Sequence, residues 1–172
     1  MVEPEYSLLD GSNVVINRIG YSRYIQTNKI DIQLRSANEQ YTIHEIAHMF
    51  ESNTIKIPKP LYVVDNSSYI MEEFKHGTFV RPDTYYHTYA LFIELKRFYA
   101  FMIQHGYWPY NFVIFKYDLT KFVMFDFSGF GTIQGIYVKF PKDRRMYTFK
   151  EAGRKFAPKF YDYFSRNEAE LV

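Results

Sequence analysis

The chain has no cysteine among its 172 residues. That absence excludes disulfides, thiol catalysis and every zinc site built on Cys. No apolar run approaches the roughly 20 residues of a membrane span. The opening Met1-Val2-Glu3-Pro4-Glu5 is acidic and lacks the basic-then-apolar pattern of a signal peptide, so a cytoplasmic protein is expected. There is no internal repeat, low-complexity tract or long linker. The net charge is only +2, which gives no general reason to expect nucleic-acid binding. Hydrophobic residues make up 47% and charged residues 23%, the balance of a globular chain rather than a disordered one, and the length suits one domain. What is abundant is aromatic: 17 Tyr and 17 Phe, residues that bring large buried area to a small core.

The first third reads as strands. Val14 to Ile19, Tyr21 to Gln26 and Ile30 to Leu34 are β-rich, separated by turn chemistry at Gly11-Ser12-Asn13 and Thr27-Asn28-Lys29. From Tyr41 to about Glu51 the spacing becomes helical, with Ile43, Ile46, Ala47 and Phe50 on one face. Ile57-Pro58-Lys59-Pro60 interrupts it, and Leu61 to Asp65 with Ser68 to Glu72 reads as a hairpin. A long helix is expected over about Asp83 to His105, with Leu91, Leu95, Phe98 and Met102 as its buried stripe and Gly106 as its stop. Phe112 to Lys116 and Phe122 to Phe125 form a second hairpin. The remainder reads as irregular, then helical from about Phe149 to Phe164. The sum is an α+β chain, β-rich first and helix-rich later.

Certain residues stand at the joints of this order. Tyr69-Ile-Met-Glu-Glu-Phe-Lys-His-Gly77 is a strand ending in Met-Glu, then a turn ending in Gly. Ile103-Gln-His-Gly-Tyr-Trp-Pro-Tyr-Asn-Phe-Val-Ile114 is a loop with Asn111 before an apolar strand. Phe122-Val-Met-Phe-Asp126-Phe127-Ser128 is a strand running into Asp-Phe. Together with Glu45 on the short helix and Ile32-Gln-Leu-Arg35 before it, these resemble the hinge, catalytic loop, Asp-Phe-Gly segment, helix Glu and strand Lys of protein kinases. The likeness covers roughly residues 8 to 135.

The resemblance implies a minimal two-lobe fold in one domain, with a β-rich N-lobe over about residues 1–73 and a reduced helical C-lobe over about 77–172. It implies ATP with Mg²⁺ as ligand, Arg35, Glu45, Glu72, Asn111 and Asp126 as cofactor-binding residues, and Asn111 and Asp126 as the metal's oxygen ligands. It also shows what is missing. The catalytic Asp position falls on Gly106 or on Tyr107, according to register, and neither supplies a carboxylate. A tyrosine, with a reference pKa of about 10, is a poor base, and a positioned general base is worth about 10²–10⁴ in rate. Leu9-Asp10-Gly11-Ser12-Asn13-Val14 keeps one glycine of the glycine-rich loop, and about forty residues follow Thr132 where the family has several more helices. A degenerate, pseudokinase-like protein is expected, binding a protein partner such as a kinase or kinase regulator. A working minimal kinase is the alternative.

A second motif competes. His44-Glu45-Ile46-Ala47-His48 matches His-Glu-x-x-His, which on a helix sets two imidazoles one turn apart for Zn²⁺ with Glu45 as general base. A zinc site needs a third ligand, for which Glu94 or His87 on the long helix could serve. The plainer alternative turns His44 and His48 to solvent while Ile43, Ala47 and Phe50 face the core. Asp126 and Asn111 also have plain readings as turn formers, and Glu45 with Arg35 as a structural ion pair. From Lys139 to Arg166 there are nine Lys or Arg against three Asp or Glu, interleaved with aromatics. That segment is either a solvated helix face or a docking surface for an acidic partner, nucleic acid or a lipid surface.

Overall fold

The computed structural model describes residues 14–18, 35–66, 68–72, 77–141 and 143–157. The expected glycine-rich loop, the strands at 21–26 and 30–34, the hinge turn at 73–76 and the helix beyond residue 157 lie outside the described residues. The architecture is α+β, with three helices among them. In chain order they comprise β1 (Val14–Arg18), α1 (Ala37–His48), β2 (Ile55–Lys56), β3 (Pro60–Asp65), β4 (Ser68–Glu72), β5 (Thr78–Phe79), a 3₁₀ segment (Pro82–His87), α2 (Tyr89–Gln104), β6 (Tyr107–Trp108), β7 (Val113–Asp118), β8 (Lys121–Phe125), β9 (Gly131–Gln134), β10 (Tyr137–Lys139), β11 (Met146–Thr148) and α3 (Phe149–Phe156).

The strands form three sheets with orders β1-β4-β3, β2-β8-β7-β5 and β11-β10-β9-β6. All pairings are antiparallel except β2 with β8. Both expected hairpins are present, β3–β4 around residues 65–68 and β7–β8 with Val113 opposite Phe125.

Helix α1 starts four residues earlier than the hydrophobic spacing indicates. Ser36 is its N-cap and accepts the Glu39 backbone N–H at 3.3 Å, so Ser36-Ala37-Asn38-Glu39 carries a start signal that the apolar pattern misses. Ile43 and Ala47 are fully buried as expected, and α1 lies across β3 and β4.

The expected long helix is broken at Thr88, whose extended backbone separates the 3₁₀ segment from α2. The stripe Leu91, Leu95, Phe98 and Met102 is wholly buried. Gly106 stops α2 with φ +93°, a conformation open to glycine at little cost.

The stretch after Asp126 is the main departure. Where the sequence reads as irregular, β9, β10 and β11 form a three-strand meander that continues to β6. Gln134 opposite Tyr137 leaves a two-residue turn of Gly135-Ile136, with Gly135 at φ +66°. Helix α3 then opens with a reciprocal capping box between Thr148 and Glu151.

One contiguous cluster of buried side chains runs from Ile43 and Tyr69 through α2 and β8 to Trp108, Tyr147 and Ala152. The aromatic surplus is concentrated there. Phe98, Phe112, Phe127 and Phe130 meet edge to face, with ring centroids 5.2 to 6.3 Å apart.

Candidate functional site

The β7–β8 hairpin builds the site. Since Val113 faces Phe125, the residues just outside that pair, Asn111 and Asp126, belong to the same open end of the hairpin. The next loop folds back on it: a Cβ placed on Gly129 would stand 3.0 Å from the Asn111 Cβ and 3.2 Å from the Tyr110 carbonyl oxygen. A side chain at 129 would need the Asn111 loop to give by a few tenths of an ångström.

Asn111 (φ 63°) and Asp126 (φ 75°) are also the two non-glycine residues with left-handed backbone among the described residues. Such a backbone costs an L-residue energy, least for Asn and Asp. The half-buried Asp126 carboxylate accepts the Ser128 hydroxyl at 2.9 Å and its backbone N–H at 3.4 Å. Phe127, next to it, is completely buried beneath α1, 4.7 Å from the His44 ring and 5.2 Å from Phe130.

The other expected cofactor-binding residues are placed differently. Arg35 immediately precedes the Ser36 cap. Its guanidinium donates to the Phe130 carbonyl from Nε (3.2 Å) and Nη2, to Thr132 Oγ1 (2.8 Å), and more loosely to Glu39 (3.5 Å); it also lies 5.9 Å from the centre of the Tyr107 ring. The expected Arg35–Glu45 pair is therefore replaced by Arg35–Glu39. Geometry explains the substitution: Glu39 is one turn away, whereas Glu45 is ten residues on and roughly 9 Å further along the axis. Glu45 is exposed and makes no ion pair with a described residue; its charge instead raises the Tyr41 pKa, as a lesser cause after burial. Glu72 is half-buried and ties β4 to β3, accepting the Lys59 N–H at 2.8 Å while its own N–H donates to the Lys59 carbonyl at 2.9 Å.

Gly106 and Tyr107, where the resemblance would put a catalytic Asp, have structural duties. Gly106 terminates α2, and its carbonyl accepts the Ile133 N–H at 2.9 Å. Tyr107 is half-buried in β6, paired with Thr132.

The His-Glu-x-x-His motif does not present two imidazoles to solvent. His44 is completely buried, which corrects the solvent-facing alternative for that residue, while His48 is exposed as that alternative has it. Its Nε2–H donates to the Pro58 carbonyl at 2.6 Å, and Nδ1 accepts the Tyr69 hydroxyl at 2.8 Å. Burial holds its pKa down, to about 3, so the ring is neutral. His48 Nδ1–H donates to the Ile57 carbonyl at 2.8 Å. The two rings thus fasten the Ile57-Pro58 segment to α1. Of the candidate third ligands, Glu94 holds the Ser52 hydroxyl and Arg97, each at 2.7 Å, and the His87 side chain lies outside the described residues. Among the described residues no group of three His, Asp or Glu is placed to hold a metal ion, and no helix is long and apolar enough to cross a membrane.

Sequence reasoning missed the Arg35 connection to residues 130–132 and the seat of Phe127 under His44. Neither has a local signal; both join segments more than 80 positions apart. No family model, curated protein or solved structure matches the chain.

Proposed function

We propose that the chain is a degenerate, minimal kinase-like protein that acts mainly by binding a protein partner and retains a weak Mg²⁺–nucleotide site at Asn111 and Asp126. One observation carries the reading: these two oxygen donors are the described non-glycine residues held in left-handed backbone, and one hairpin brings both to the same open end. Backbone strain of this kind collects where a side chain must be aimed. The donor set fits the ion, since Mg²⁺ prefers hard oxygen ligands and is commonly held by one or two carboxylates plus phosphate oxygens. The burial of Phe127 beside Asp126 supports it further.

Bound there, the metal would neutralise phosphate charge. Asp126 and the Asn111 amide oxygen would orient it, and Ser128 would fix the carboxylate through its hydroxyl. The rest of the phosphotransfer apparatus is reassigned. Arg35 bonds the 130–132 segment, Glu45 stands outside, and neither Gly106 nor Tyr107 brings a carboxylate to act as general base. Binding without efficient turnover follows.

The test is thermal denaturation with ATP and Mg²⁺. Ligand at about a hundred times its Kd stabilises by about 2.7 kcal/mol, which is a rise of several degrees for a chain of this size. The rise should need Mg²⁺ and disappear in Asp126→Ala and in Asn111→Ala. No rise in the parent protein would overturn the nucleotide site, and autophosphorylation seen by mass spectrometry would overturn the loss of catalysis.

A further inference from the structure

The stretch from Asp126 to Thr132 leads out of the hairpin mouth into β9, and the α1 region fastens it at two places. His44 packs on Phe127, with ring centroids 4.7 Å apart. Arg35, just ahead of the Ser36 cap, holds the far part: Nε (3.2 Å) and Nη2 donate to the Phe130 carbonyl, and Nη2 donates to Thr132 Oγ1 at 2.8 Å. Between the two ties the chain turns back, with the Phe130 N–H on the Phe127 carbonyl at 3.4 Å, and Gly129 passes close against Asn111. Arg35 is 7% exposed, the one buried Lys or Arg among the described residues. A buried guanidinium is costly unless its donors are used. Segment 130–132 uses them, so the cation and the segment hold each other in place.

We infer that Arg35 is a positioning residue for the Mg²⁺–nucleotide site. By fixing residues 130–132 to the start of α1 it keeps the Asp126 loop seated against Asn111, although its own bonds go to the chain and not to metal or phosphate. The inference rests on the nucleotide reading above and adds to it the residue that holds the two oxygen donors in register. The planar fork suits the task, because it reaches a carbonyl and a hydroxyl two residues apart at fixed angles. A lysine ammonium is a compact charge on a flexible stem and supplies the charge without the fork. If Arg35 served the site by attracting phosphate, Arg35→Lys would bind nucleotide as the parent does. If it serves by position, the same change weakens binding.

The test is calorimetric titration of the full chain with ATP in excess Mg²⁺, at a temperature well below the thermal midpoint of every variant. Losing a group that orients metal ligands typically costs 10–100-fold in affinity, so Arg35→Lys should raise the Kd by about tenfold. Thr132→Val keeps the guanidinium and removes one acceptor, and should raise the Kd by less. Ser52→Ala breaks the 2.7 Å bond to Glu94 and serves as the control: it should lower the thermal midpoint and leave the Kd unchanged. A purely structural role predicts that same behaviour for Arg35. Thr132→Val decides the matter if Arg35→Lys does not fold. A parent-like Kd in either folded variant overturns the inference and leaves the nucleotide site standing. No binding by the parent overturns the site itself, and the inference with it.

Discussion

Helix α1 and the mouth of the β7–β8 hairpin both carry residues fit for a metal, and the fold treats them in opposite ways. On α1 the motif is complete in sequence, yet His44 is turned inward and both its ring nitrogens are engaged by Pro58 and Tyr69. At the mouth the sequence is unremarkable, a turn-forming Asn and a strand-end Asp, yet the backbone holds both in conformations unusual for side-chain-bearing residues. A motif reports which atoms are present. The backbone reports where they are held. On that contrast α1 is a structural tie and the hairpin mouth is the functional candidate.

Three changes test this contrast. The largest effect is expected from His44→Ala, which leaves the Pro58 carbonyl and Tyr69 hydroxyl without their buried partner and opens a cavity against Phe127. A loss of about 3 kcal/mol is expected in urea denaturation, with the parent's midpoint insensitive to a zinc chelator. A chelator-induced fall in the parent would restore the metal reading of α1.

Next in size is a pH effect. His44 is neutral in the folded chain with a pKa of about 3, against an ordinary value of 6.5. Between those values the unfolded chain binds the extra proton, so stability rises with pH across that window and levels off above it. Its contribution is therefore fully present at neutral pH and falls by about 2 kcal/mol on acidification to about pH 5. His44→Gln should remove that component of the pH dependence, measured as the difference between denaturation free energies at the two pH values. An identical dependence in the variant would show that His44 is not held neutral.

The smallest effect sharpens the other side. Asn111→Gly relaxes a left-handed backbone and should leave stability unchanged or raise it by up to about 1 kcal/mol, while abolishing the Mg²⁺-dependent ATP shift. A loss of stability together with an intact ATP shift would reduce the mouth to an ordinary turn.

Much of the framework is legible in the sequence. The two hairpins, the stripe Leu91-Leu95-Phe98-Met102 and the stop at Gly106 follow from local periodicity and turn chemistry, and all are present. The meander over residues 131–148 is not legible, because its strands are three or four residues long, carry charges such as Lys139, and owe their pairing to β6. The break at Thr88 has neither Gly nor Pro at that position. His44 reads as polar and outward because its partner carbonyl belongs to Pro58, fourteen residues later, where side-chain type reveals nothing. At the site, Asn111 and Asp126 could be chosen by residue type and order. The displacement of Arg35 toward Glu39 could have been read from the Ser36-x-x-Glu39 cap, which sets where the helix begins.

The bond from Arg35 to the Phe130 carbonyl spans 95 positions. During synthesis at about 5–20 residues per second, the guanidinium emerges roughly 5 to 20 s before its acceptor exists. Until then it must stay hydrated, and the beginning of α1 cannot settle in its final surroundings. Completion of the amino-terminal half is thereby coupled to translation of the carboxy-terminal sheet, which delays assembly of the nascent chain until most of it has left the ribosome.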